Sequence, residues 1–254
     1  MNAHSSDHEF TAADYDEKYF AGHIRRYEEG VYGNRVKWIS KYLDGVGGKL
    51  LLDAGCGIGF FSEAARHLGA NVVSLDFSPQ ALGVYRRRGG RDAALVAGSV
   101  EELPFADNEF DFAMAIDVIE HLYHPNLLLS EMYRVVRPGG RVIVETDNEG
   151  TWFTKKGFRR VNNWAQARTP LGKKLAKIRS EITSTSLHVE TFDFKLLAER
   201  LEKIGFKVIQ GETFPYLPVG WRDSSIQFPP FRPVNRALGG ENCMIYLAEK
   251  PRKA

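Results

Sequence analysis

Short apolar runs alternate with helix-period segments through the middle of the chain. Runs at about 49 to 53, 71 to 76, 93 to 97, 111 to 116 and 141 to 146 read as strands, because each is brief, apolar and bounded by Gly, Asn or Pro. Phe60 to Leu68, which follows the first run, places its apolar residues on one helical face. Strand and helix in alternation predict an α/β fold: a parallel sheet with right-handed crossovers and helices on both faces. Phe192 to Ile204 reads as a further amphipathic helix ended by Gly205-Phe206, and Lys207 to Gly211 and Cys243 to Ala248 read as two last strands. Ahead of the sheet, Tyr15, Tyr19, Phe20, Ile24, Tyr27, Tyr32, Val36 and Ile39 recur at helical spacing. The expected organisation is a tail and helical cap over 1–43, then one domain over 44–254 with insertions at about 150–185 and 213–240.

The two insertions differ in chemistry. Lys155, Lys156, Arg159, Arg160, Arg168, Lys173, Lys174, Lys177 and Arg179 follow Gly150 with no acid before Glu181. This basic 155–179 segment reads either as a lid that attracts an anionic substrate or as a helix pair whose bases face water. Phe214-Pro215-Tyr216-Leu217-Pro218, Trp221 and Phe228-Pro229-Pro230-Phe231 make the second insertion rich in proline and aromatics. It reads either as the wall of an apolar pocket or as a rigid crossover packed on the core.

The densest chemical signal is Leu51-Leu52-Asp53-Ala54-Gly55-Cys56-Gly57-Ile58-Gly59, a strand that breaks into an acid and alternating glycines before a helix. Glycine lets a chain turn with positive φ and approach a ligand closely, and the helix start beyond it presents unpaired N–H groups. The next strand ends in Asp76, placed to grip a ribose diol. These features point to an adenosine cofactor. The dinucleotide fingerprint G-x-G-x-x-G fits imperfectly, since its third glycine falls at Ser62. Asp53 would repel a pyrophosphate and suits a cationic amino group instead.

Asp53, Gly55, Gly57 and Gly59 match the D/E-x-G-x-G-x-G motif of the class I S-adenosylmethionine-dependent methyltransferases, which the segment resembles. Further segments follow that family's order. Asp76 matches its ribose-binding acid, and Ser78-Pro79 reads as an N-cap with a first-turn proline. Gly98-Ser99-Val100-Glu101-Glu102-Leu103-Pro104-Phe105 resembles the segment around the adenine, with Ser99 standing where the family usually has an acid. Phe110 to Leu122 resembles the stretch around the fourth strand, and Val135 to Gly140 the turn before the fifth. The general look is that of the methyltransferase type 11 group and the ubiquinone-biosynthesis O-methyltransferases. The resemblance implies a Rossmann-like, seven-stranded, mostly parallel sheet with an antiparallel last strand, and S-adenosyl-L-methionine as cofactor.

It also implies roles for single residues. Asp53, Gly55, Gly57, Gly59 and Asp76 would contact the cofactor, although the glycines could simply make a tight turn. Phe77 either lies against the adenine or packs on a helix, with Ser99 and Val100 beside it. Asp117 either lines the methionine end or caps a helix, and Tyr19, Tyr32 and Arg35 are candidates to close over the methionyl carboxylate. An oxygen acceptor must lose a proton, so a histidine base is expected; His121 and His188 are the candidates, with capping or packing as the alternative for each. Nitrogen acceptors need less help, which leaves O-methylation slightly favoured over N-methylation.

Composition narrows the rest. At 254 residues and 43% hydrophobic, the chain is long enough for one substantial core. Its formal net charge of +2 argues against a global nucleic-acid footprint, so the expected partner is a small-molecule methyl acceptor. RNA, an anionic lipid-linked substrate and a non-catalytic binding subunit are the other readings. Cys56 and Cys243 form neither a metal spacing nor a disulfide framework, and no metal constellation is visible. No apolar run approaches about 18 residues, so a cytoplasmic location without a transmembrane segment is expected.

Overall fold

The computed structural model describes residues 33–90, 93–147, 190, 192–214 and 243–252, together with Ile24. Helix α1 (Gly33–Ser40) leads into β1 (Leu50–Ala54), α2 (Phe60–His67), β2 (Asn71–Asp76), α3 (Pro79–Arg88) and β3 (Ala94–Ala97). After β4 (Phe110–Ile116) come a 3-10 turn (Ile119–His121), α4 (Pro125–Val135) and β5 (Val136–Asp147). Helix α5 (Phe194–Ile204), β6 (Lys207–Phe214) and β7 (Cys243–Glu249) complete the described elements.

The strands form one sheet in the order β3-β2-β1-β4-β5-β7-β6. Pairs β1–β2, β1–β4, β2–β3 and β4–β5 are parallel, whereas β7 runs antiparallel to both neighbours. Strand order reverses beside β1, which opens a crevice at the carboxyl ends of β1 and β4, the place where open α/β sheets hold ligands.

Period-two alternation sorts the core into two layers. Leu51, Phe112, Met114, Ile116, Ile143, Ile245 and Leu247 pack with Ile39, Tyr42 and Leu43 on one face. Leu52, Ala113, Ala115, Val142, Val144, Met244 and Tyr246 pack with Leu128, Leu129, Met132, Leu197 and Leu201 of α4 and α5 on the other. Helix ends follow local chemistry. Ser78 Oγ accepts from Ala81 N–H with Pro79 in the first turn, and Asp193 caps α5 through Leu196 N–H.

Strand boundaries agree with the apolar runs except at β5 and at the end of β6, which runs to Phe214 rather than Gly211. The turn expected over Val135 to Gly140 lies within β5, because Val136 already pairs with Phe110. The chain then loops outward, so that β5 advances to Arg141 while β4 advances only to Phe112, a bulge that Gly139 permits with φ of 80°. Leu129 is wholly buried between α4 and the sheet. Leu129→Ala is expected to cost about 2–5 kcal/mol of stability, seen as an earlier denaturant midpoint with little change in slope.

Candidate active site

The glycine turn after β1 is tied to β2: Gly55 and Cys56 N–H both donate to Leu75 O, at 2.8 and 2.9 Å. A Cβ on Gly55 would sit 2.5 Å from Val118 Cγ2, and one on Gly59 2.4 Å from the Tyr85 ring, so the protein itself closes on these two glycines. Gly57 differs. Its φ is 54° and a Cβ there would meet nothing within 4 Å, which makes it the open side of the turn.

Asp76 faces this opening from the end of β2. Its Oδ2 accepts from Gly57 N–H at 2.7 Å and its Oδ1 from Ser78 N–H at 2.9 Å. Burial raises its pKa, while those two N–H bonds pull it back. Each carboxylate oxygen keeps a lone pair for another donor. Phe77 beside it is 41% exposed, a large apolar ring held at the surface next to the turn. From the end of β3, Gly98 N–H donates to Asp76 O, Ser99 is exposed with its Oγ accepting from Glu101 N–H, and Val100 is buried.

Asp53 occupies a different place. It is 1% exposed, and its Oδ2 accepts from Ser62 Oγ at 2.5 Å, with a second bond from the Ser62 backbone. Ser62 Oγ also lies 2.8 Å from Ser74 Oγ. Helix α2 has no side-chain cap of its own at Gly59, so the carboxyl from β1 acts as its cap. The acid read as a partner for a cationic amino group is therefore turned onto α2. Burial pushes its pKa up to about 7, against the Ser62 bonds and with some help from Asp76.

At the ends of β4 and β5 the backbone bends sharply. Asp117 has φ of 55°, donates its N–H to Glu145 O, and leaves its side chain 38% exposed. The N-cap of the 3-10 turn that follows is Val118, which offers no side-chain cap bond. Arg35, from α1, is buried and bridges the carboxylates of Asp117 and Glu145. Burial works against its charge, but the two acids outweigh that and hold its pKa well above the ordinary value. Glu120 is buried, accepts from Thr146 Oγ1 at 2.8 Å, and has a pKa pushed well up by burial and then by Asp117. His121 ends the 3-10 turn, half-buried, with its N–H on Val118 O.

Sequence reasoning missed Ser62, Glu120 and Glu145 as members of this edge. A signal existed for two of them: Ser62 fills the third-glycine slot, and Glu145 directly follows the core run Val142-Ile143-Val144. Tyr19, Tyr32, His188, the basic 155–179 segment and residues 215–238 lie outside the described residues.

The sheet order and the glycine turn facing Asp76 define a nucleoside-cofactor α/β domain. The methyltransferase domain family matches residues 52–144. A malonyl-[acyl-carrier protein] O-methyltransferase of Buchnera aphidicola is 31% identical over 192 residues, covering 67% of this chain and 77% of that one. A ubiquinone biosynthesis O-methyltransferase of Dechloromonas aromatica is 36% identical over 118 residues, covering 45% and 50%. Among solved structures, a Haemonchus contortus phosphoethanolamine N-methyltransferase 2 in complex with S-adenosyl-L-methionine superposes with a TM-score of 0.67 at 20% identity, over 96% of this chain and 60% of that one. The alignments span from about a quarter to about three quarters of the length of the curated relatives. The chain belongs to the class I S-adenosylmethionine-dependent methyltransferases, whose cofactor is S-adenosylmethionine. The residues present fit that cofactor: the space beside Gly57 is open, and Asp76 is held with lone pairs to spare. No helix among the described residues is long and apolar enough to cross a membrane.

Asp53 gives a pH prediction. Its pKa is raised above the ordinary value near 4, so the folded chain holds the proton more tightly and loses stability as pH rises from about 4 to about 7. The Asp53 contribution has a slope of up to about 1.4 kcal/mol per pH unit. Asp53→Asn, which keeps an acceptor for Ser62, should flatten the profile of ligand-free protein by one proton in denaturation across that window. An unchanged slope would mean the carboxyl is ionised throughout.

Proposed function

We propose that this chain transfers a methyl group from S-adenosylmethionine to a small or medium metabolite, with oxygen favoured over nitrogen as acceptor. The observation that carries the reading is Asp76, held by Gly57 and Ser78 N–H opposite the open side of the turn. In this reading Asp76 accepts from the ribose hydroxyls. Gly55, Gly57 and Gly59 let the backbone approach, and Phe77, Ser99 and Val100 border the adenine. Asp53 supports the turn from behind, through Ser62. Asp117, with Arg35 and the cap residues Tyr19 and Tyr32, forms the methionine end.

The bound cofactor supplies an activated methyl group on a sulfonium. The protein's work is then mainly to align donor and acceptor and to exclude water. For an oxygen acceptor a base must take one proton, and His121 at the carboxyl end of β4 is the described candidate, with His188 the other. The names of the Buchnera aphidicola and Dechloromonas aromatica relatives, both O-methyltransferases, support oxygen. The basic segment 155–179 supports an acceptor that carries negative charge. Residues 1–43 would act as tail and cap, and the insertions at about 150–185 and 213–240 would shape the acceptor pocket of the 44–254 domain.

Calorimetry with S-adenosylmethionine, S-adenosylhomocysteine and NAD tests the core of this. Binding of the two sulfur compounds without NAD is expected; NAD binding instead would overturn it. Asp76→Ala removes a charged acceptor from two hydroxyls and should weaken S-adenosylmethionine about 100-fold. His121→Ala should lower turnover about 100-fold while leaving cofactor affinity nearly unchanged, and the reverse pattern would remove it as the base.

A further inference from the structure

We infer that Arg35 is a positioning residue for the cofactor site, working through the backbone of Asp117 and Val118 rather than by direct pairing with the methionyl carboxylate. The inference rests on the proposed reading that the cofactor lies along the glycine turn.

Arg35 touches three elements that meet at that turn. Its guanidinium bridges Asp117, just past β4, and Glu145, in β5. Its Cζ also stands 5.8 Å from the ring centre of Phe61, in the first turn of α2. Glu145 is wholly buried and Asp117 half-buried, and both pair with a guanidinium that is itself 4% exposed, so its charge is already answered inside the protein.

The bridge fixes a strained residue. Asp117 adopts a positive φ that L side chains rarely take, held by its N–H on Glu145 O and by Arg35 on its carboxylate. The bend it makes directs Val118 onto Gly55, where a Cβ would find Val118 Cγ2 at 2.5 Å. A continuous chain of contact therefore runs from α1 through Asp117 and Val118 to the glycine turn. Loosening the first link moves the last one. A guanidinium can span two carboxylates and lie near a ring at once, which a lysine ammonium cannot do.

The test compares S-adenosylmethionine with 5′-methylthioadenosine, a neutral ligand lacking the amino acid tail. Arg35→Ala should weaken both by a similar factor, about tenfold, with Arg35→Lys recovering part of the loss for both. Loss confined to S-adenosylmethionine would show direct pairing with the carboxylate and overturn the inference. Affinities unchanged for both, with only a lower melting temperature, would make Arg35 a packing residue and overturn it too. If Arg35→Ala does not fold, Arg35→Lys and Glu145→Gln are read in the same way. Failure of wild-type protein to bind either ligand would instead strike the cofactor reading itself.

Discussion

Gathering four carboxylates at one edge of the sheet, three of them buried, is the constraint on which the rest of this structure depends. Asp53 from β1, Asp76 from β2, Asp117 after β4 and Glu145 from β5 all arrive at the carboxyl ends of parallel strands. A buried charge without a partner costs several kcal/mol, so each acid needs its own answer. Asp53 is answered by a helix start, Asp76 by two backbone N–H groups, and Asp117 with Glu145 by one shared arginine. These answers in turn set where the turn, the helices and the strand ends sit.

The different answers also divide labour. Asp53 is bonded to Ser62 inside the protein, and burial raises its pKa to about 7. Asp76 is held by donors that fix its orientation without using all its lone pairs, which leaves it suited to receive hydroxyls. Two acids of one residue type, one strand apart, thus meet different partners: a helix start for Asp53 and two loop N–H groups for Asp76. A methyl transfer that relies on alignment more than on acid or base strength needs this kind of rigid frame.

Much of this edge was legible in the chain because its signals are local. The apolar runs marked β1 to β4 and β7 within a residue, and Ser78-Pro79 marked the start of α3. Asp76 could be placed because it closes a strand beside a glycine turn. What could not be read was long-range. Arg35 and Glu145 lie 110 residues apart, and only the sheet order brings α1 onto β5. Ser62 counted in the sequence as a missing glycine, whereas in the fold its hydroxyl and N–H cap the relation between Asp53 and α2. The bulge in β5 was read as a turn because Pro138-Gly139-Gly140 has turn composition, while the pairing of Val136 with Phe110 depends on a distant strand.

Helix α1 precedes the glycine motif in sequence, yet it belongs to the core that supports it. Ile39, and Tyr42 and Leu43 just beyond the helix, lie in the same apolar layer as Leu51, Met114, Ile143 and Ile245, from four different strands. Tyr42 also bonds Glu212 on β6 at the far side of the sheet. With Arg35 one turn earlier locked to β4 and β5, the helix cannot shift as a unit without disturbing both the layer beneath it and the ends of the strands beside it. Helix α1 is therefore held at a fixed place next to the methionine end of the proposed site.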